Sequence, residues 1–141
     1  MASSVPDGVY SICLPNSQDC ITDTGEGRWL NLMQKGYLGP DAHKIIVKYI
    51  AERGGYYLQF EKSKKYITFD GEPSMNNKLL DGDKPRYFKI TAHEYYPDLF
   101  VIAVAENKEY HLGMALERIF PPWVAMQNME AAQPWHFASV Y

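Results

Sequence analysis

The side chains able to do chemistry in this 141-residue chain are scattered, but two short polar stretches place basic residues where a loop is expected. One is Asp23-Thr24-Gly25-Glu26-Gly27-Arg28; the other is the tight turn Glu61-Lys62-Ser63-Lys64-Lys65. A guanidinium on an exposed loop meets a carboxylate through paired, charge-assisted hydrogen bonds, and a lysine meets one as a point charge. Thr24, Gly25, Glu26, Gly27 and Arg28 are therefore a first candidate contact loop. Lys62, Ser63, Lys64 and Lys65 are a second. Lys35, before Gly36, is a third candidate, and Asn31 lies inside an expected strand. The plain alternatives are that Arg28 is a solvated loop charge and that the lysines keep a hairpin tip from pairing with other edges.

The histidines, His43, His93, His111 and His136, stand at no close metal-ligand spacing to one another or to a cysteine. They read as structural, and no metal or other cofactor is expected. There is no Gly-x-Ser-x-Gly elbow, no phosphate-binding glycine loop and no Cys/His pair in a recognised context, so an enzyme is not expected. Trp29, Trp123 and Trp135 open a sugar-binding reading. Gln133-Pro134-Trp135 matches the Gln-x-Trp signature of ricin-type lectins once; neither Lys44-Ile45-Ile46 nor Pro85-Arg86-Tyr87 repeats it. A core tryptophan in a closing strand is the other reading of Trp135.

These residues must be held by elements that recur. Gly8-Val9-Tyr10-Ser11-Ile12, Gly55-Tyr56-Tyr57-Leu58 and Asp98-Leu99-Phe100-Val101-Ile102 each open a block, and fixed-period similarity of this kind sets the architecture. Second runs follow at Cys20–Asp23, Tyr66–Phe69 and Tyr110–Gly113. Third runs follow at Trp29–Gln34, Asn77–Leu80 and Trp123–Gln127. Fourth runs close the blocks at 44–50, 87–91 and 135–140. Loops between them are marked by Gly, Pro, Asn and Asp, as in Leu14–Asp19, Lys35–Asp41 and Asp70–Asn76.

Residues 40–52 admit a helix capped by Asp41, but the β-branched and aromatic run Ile45-Ile46-Val47…Tyr49-Ile50 favours a strand. Residues 113–119 have room for one helical turn. Twelve short strands in three pseudo-repeats indicate an all-β chain, a single β-trefoil domain over residues 1–141. In that fold six strands close a barrel and three hairpins cap it. Tyr10, Tyr57 and Phe100 are expected in one interior layer; Ile46 or Val47, Phe88 and Phe137 in another.

Composition bounds the rest. A chain 46% hydrophobic and 14% aromatic builds a core rather than staying disordered. A formal charge of -3 gives no electrostatic reason to expect nucleic acid or an anionic membrane. No apolar run approaches the ~20 residues of a spanning helix. Residues 1–7 lack a basic start and an apolar stretch, so they are not read as a signal peptide, and a cytoplasmic monomer is expected. Cys13 and Cys20 are too few for a disulfide framework. They could face each other across a first hairpin, and in the expected cytoplasmic setting they are read as reduced.

The opening Gly8-Val9-Tyr10-Ser11-Ile12 and the closing Pro134-Trp135-His136-Phe137 resemble those of small mushroom β-trefoil protease inhibitors. These are the cospin-like serine protease inhibitors and, more distantly, the clitocypins and macrocypins (mycocypins). The resemblance implies a defensive protease inhibitor whose partner is a trypsin-like serine protease. The contact would be made by residues 23–28 or, as in some macrocypins, by 61–65. Inhibition of papain-like proteases through residues 14–19 and 35–43 is the second implication. Residues 61–65 hold no asparagine, so a legumain contact is not implied. On that reading Arg28 enters a pocket floored by a buried carboxylate, and a loop held by a closed barrel loses little entropy on docking. A carbohydrate-binding lectin is the alternative function.

Overall fold

A computed structural model describes residues 5–141; the lead Met1–Ser4 lies outside the described residues. Alternating apolar residues produce twelve strands. The first repeat holds β1 (Gly8–Cys13), β2 (Asp19–Thr22), β3 (Asn31–Gln34) and β4 (Ile45–Ile50). The second holds β5 (Gly55–Phe60), β6 (Tyr66–Thr68), β7 (Leu80–Gly82) and β8 (Phe88–Ala92). The third holds β9 (Phe100–Val104), β10 (Asn107–Met114), β11 (Val124–Gln127) and β12 (His136–Ser139).

Strands β1, β4, β5, β8 and β9 pair in that order, β12 pairs β1, and the bridge Phe100↔Trp135 closes the ring. The hairpins β2–β3, β6–β7 and β10–β11 form a cap. At the cap's centre the three repeats exchange single backbone bonds. The Leu30 N–H donates to Leu79 O (2.9 Å), Leu79 N–H to Val124 O (3.0 Å) and Val124 N–H to Leu30 O (2.9 Å). That closed triangle is the pseudo-threefold axis, and the architecture is a β-trefoil.

Burial follows the repeats. Ile12, Leu58 and Ile102 are equivalent and fully buried. Cross-strand register makes Tyr10↔Ile45, Tyr56↔Phe88 and Phe100↔Trp135 equivalent pairs. The expected layers therefore change in one member each. Tyr56, not Tyr57, matches Tyr10 and Phe100, because strand faces alternate with every residue. Tyr57 points outward and meets Tyr66 edge-on at 5.3 Å. Val47 and Ile90 are the partners of Phe137, while Phe88 sits one layer away with Ile45 and Trp135. Gly55 leaves its strand room: a β-carbon there would lie 2.9 Å from Phe88 O, so only glycine fits the approach of β8.

Two further expectations are corrected. Within residues 40–52 the strand β4 takes 45–50, as the β-branched run favours, and one 3₁₀ turn follows at Ala51–Arg53, whereas 113–119 contain no helical turn: β10 runs through Met114 and the chain then loops. Cys13 and Cys20 are not reduced in this structure. They are directly opposed across β1 and β2, with Cα atoms 3.9 Å apart, and form a disulfide. The opposition comes from the hairpin register, which the spacing of the two cysteines does not reveal. Among the described residues no helix is long and apolar enough to cross a membrane.

Candidate functional site

The first candidate loop is folded onto its neighbours. The Asp23 carboxylate accepts from the Gly25 N–H (3.2 Å) and the Ser63 hydroxyl (3.0 Å). Thr24 Oγ1 donates to Trp29 O (2.8 Å), and the Arg28 N–H donates to Gly25 O (3.1 Å). The Gly27 N–H donates to the buried Asp81 carboxyl at 2.6 Å, in a left-handed conformation that suits glycine (φ 72°). Lys65 reaches Glu26 (3.3 Å) and Asp83. The structure thus brings the two candidate loops together: Ser63 and Lys65 of the second brace Asp23 and Glu26 of the first. Lys62 and Lys64 stay exposed, with Lys64 in a left-handed turn (φ 63°), and Lys35 is exposed on its own loop. Arg28 curls back, its Cδ 3.7 Å from where a Gly25 β-carbon would stand. No extended segment is presented there for a protease cleft.

Asp81 is the member of this cluster that sequence reasoning missed. It is 2% exposed, and burial, then the neighbouring Asp23 carboxylate, pushes its pKa up to about 7. The signal was thin: an aspartate in a three-residue strand between Leu80 and Gly82.

A second locus lies on the flank of the barrel. The connections β1–β2, β8–β9 and β11–β12 enclose a groove of about 680 Å³. Tyr95 (75% exposed) and Tyr96 (53% exposed) stand along it. Leu14, Pro15, Leu99 and Pro134 supply apolar surface, while Asn16, Ser17 and Gln133 supply polar groups. His93 fixes the β8–β9 loop. Its Nδ1 accepts from the Tyr95 N–H (3.1 Å), so its Nε2 carries the proton that bonds Ala132 O (3.0 Å). The Tyr96 ring lies 5.1 Å from the imidazole. Among the described residues, no Asp, Glu, Lys or Arg lines this groove.

The pseudo-threefold axis generates two equivalent places: one is a smaller hollow of about 370 Å³ with a charged lining, and the other is taken up by a Tyr141–Glu61 contact. At one, Arg86 pairs with Glu106 (2.7 Å) and Arg53 lies 5.4 Å from the Tyr87 ring centroid. At the other, the Tyr141 hydroxyl donates to Glu61 (2.6 Å) with Lys44 near the Tyr141 ring. The open groove exists because the β8–β9 loop is longer and carries two tyrosines in His93-Glu94-Tyr95-Tyr96-Pro97. Consecutive aromatics in a proline-bearing loop were the available signal, and it was not used.

The remaining candidates resolve as structure. Trp135 is fully buried and donates from Nε1 to Leu112 O (3.0 Å), so the tryptophan of the Gln-x-Trp match is a core residue, and only Gln133 and Pro134 reach the groove. Trp29 and Trp123 meet edge-on at 4.7 Å at the cap. Asn31 is taken up by Pro121 O (2.9 Å). His43 is buried, its pKa lowered by desolvation and then by Lys35 and Lys44. His111 Nε2 lies 3.0 Å from Met129 O, and His136 is exposed. Among the described residues no three His, Cys, Asp or Glu gather as metal ligands.

No protein-family model and no curated protein sequence matches the chain. Solved structures do match in fold. The Rhizoctonia solani agglutinin superposes with a TM-score of 0.82 at 18% identity, covering 99% of each chain. The Macrolepiota procera ricin B-like lectin in complex with lactose gives 0.76 at 17%, covering 99% of this chain and 98% of that one. The Polyporus squamosus lectin, bound to Neu5Aca2-6Galb1-4GlcNAc, gives 0.77 at 14%, covering 96% of this chain and 50% of that one. A designed threefold-symmetric protein, ThreeFoil, also matches, at 0.76 and 13%. The class is thus a β-trefoil, and several of its fold neighbours are fungal proteins. Those three are lectins or agglutinins by their descriptions, and none is a protease inhibitor. With the closed geometry of residues 23–28, that overturns the inhibitor reading.

Proposed function

We propose that this protein is a carbohydrate-binding β-trefoil and that the flank groove takes the glycan. The observation that carries the reading is the pair of exposed rings, Tyr95 and Tyr96, beside a histidine of fixed tautomer. Aromatic faces accept the C–H face of a pyranose, while amphipathic tyrosines and a few placed polar groups orient its hydroxyls. Asn16, Ser17 and Gln133 are those polar groups. The uncharged lining favours a neutral saccharide, since an acidic sugar would find no cation opposite it. The lactose and the sialylated galactose-containing epitope held by two fold neighbours support galactose-type sugars as the first class to try.

The test is a glycan array followed by titration calorimetry with the best neutral hit, for the intact chain and for Tyr96→Ala. Binding by the parent and at least a tenfold loss in the variant are expected. An array without hits, or a hit that Tyr96→Ala binds equally well, overturns the assignment.

A further inference from the structure

The cap carries a second groove that the glycan reading does not use. It measures about 710 Å³ and is lined by Trp29, Met33, Leu38, Ile119, Phe120 and Trp123, with Arg28 at its rim. Phe120 is 91% exposed, a large apolar side chain with almost no contacts of its own. It is not loosely placed. Asn31 Nδ2 donates to Pro121 O (2.9 Å) and Pro122 O (3.3 Å), and the Leu32 N–H donates to Pro122 O (2.8 Å), so the loop behind Phe120 is bolted to β3.

We infer that this face binds a second copy of the chain, with Phe120 of each copy seated in the other's groove. A two-fold interface requires a surface complementary to itself, and here the projecting ring and the hollow that would receive it belong to one patch. Trp29, Leu38 and Ile119 are each roughly two-fifths exposed around Phe120. Together these four side chains and their half-buried neighbours offer roughly 500 Å², the size of patch that is often functional on a monomer. Two copies would bury about 1,000 Å² in all, the lower bound for a specific interface, so the dimer is a weak one. The expected monomer is thus a subunit in fast exchange.

Sedimentation velocity across a hundredfold range of protein concentration tests this. A rise in weight-average mass towards the dimer is expected, with a micromolar midpoint. Phe120→Asp should weaken association at least tenfold, as removal of a central aromatic anchor does. Its melting temperature should stay unchanged, because so exposed a ring stabilises little. Trp29 fluorescence should shift on dilution of the parent and not of the variant. A parent that stays monomeric at the highest concentration overturns the inference, as does a dimer that Phe120→Asp leaves intact. A monomer that instead partitions onto phosphatidylcholine vesicles through Phe120 also overturns it and assigns the patch to a lipid surface. None of these readouts depends on sugar.

Discussion

Gly27 donates its N–H to the Asp81 carboxyl at 2.6 Å across the seam between the first and second repeats, and burial, then the neighbouring Asp23 carboxylate, pushes the Asp81 pKa up to about 7. The pair joins β7 to the 23–28 loop, and Ser63 adds the 61–65 turn. A folded-state pKa above the unfolded value means that the native chain holds a proton which the unfolded chain releases. Stability from this contact is complete below about pH 4 and is lost as pH rises towards about 7. His43, with its pKa lowered, acts in the opposite sense, losing stability as pH falls below about 6.5. The pairing is therefore isolated by comparison with Asp81→Asn, which keeps an acceptor for the Gly27 N–H. The variant should gain on the parent between pH 5 and pH 8 in thermal unfolding. Parallel curves for the two proteins would refute the raised Asp81 pKa.

Lys78 is the threefold counterpart of Trp29 and Trp123. Its ammonium sits 4.9 Å and 5.7 Å from their ring centroids and 2.8 Å from Glu117. Its side chain is only 10% exposed, so the contacts act largely out of water. Lys78→Ala should cost about 1–3 kcal/mol of stability, through lost cation–π contact and packing. It should also change tryptophan emission. Chemical denaturation with fluorescence detection reads both. Hydrogen bonds from Lys78 and then Asn76 hold the Glu117 pKa down to about 2. Its contribution is present above about pH 4.5 and fades as pH falls towards 2.

The Cys13–Cys20 bridge closes a short loop, at a sequence separation of 7. Chain-entropy bookkeeping for so small a loop gives about 2–3 kcal/mol. Both sulfurs are buried, so reduction should require partial opening of the β1–β2 hairpin and should be slow under native conditions. Thiol titration of the denatured, unreduced chain should find no free thiol. The Cys13→Ala/Cys20→Ala protein should melt at a lower temperature.

Binding in the flank groove should be monovalent, because its equivalents carry the Arg86–Glu106 ion pair and the Tyr141–Glu61 hydrogen bond in place of two adjacent exposed tyrosines. Calorimetry should give one glycan per chain. Tyr95→Ala and Tyr96→Ala should each weaken binding while leaving the melting temperature within the scatter of a surface substitution, since both rings are largely exposed. His93→Ala should also lower local stability, because it releases the tie from the β8–β9 loop to Ala132.

The repeat was legible because strand periodicity and turn residues are local properties. Gly8–Ile12, Tyr56–Leu58 and Phe100–Ile102 reveal three like units without knowledge of any contact between them. Face assignment was less secure, as Tyr57 shows, since a one-residue slip inverts a strand. Arg28 and the lysine turn looked like independent projections because sequence records charge but not partners. The ties of these two loops, Gly27 to Asp81 and Ser63 to Asp23, cross from one repeat to another.

The amino-acid order alone determined the trefoil, its strand count and its aromatic-rich interior, since burial by alternation needs only nearest neighbours along the chain. The tertiary structure decided which loops are closed, which cysteines meet, and where Tyr95, Tyr96 and Phe120 are left facing water. Those outcomes depend on register and on side chains brought together from different repeats, and neither distance nor exposure is written in one dimension.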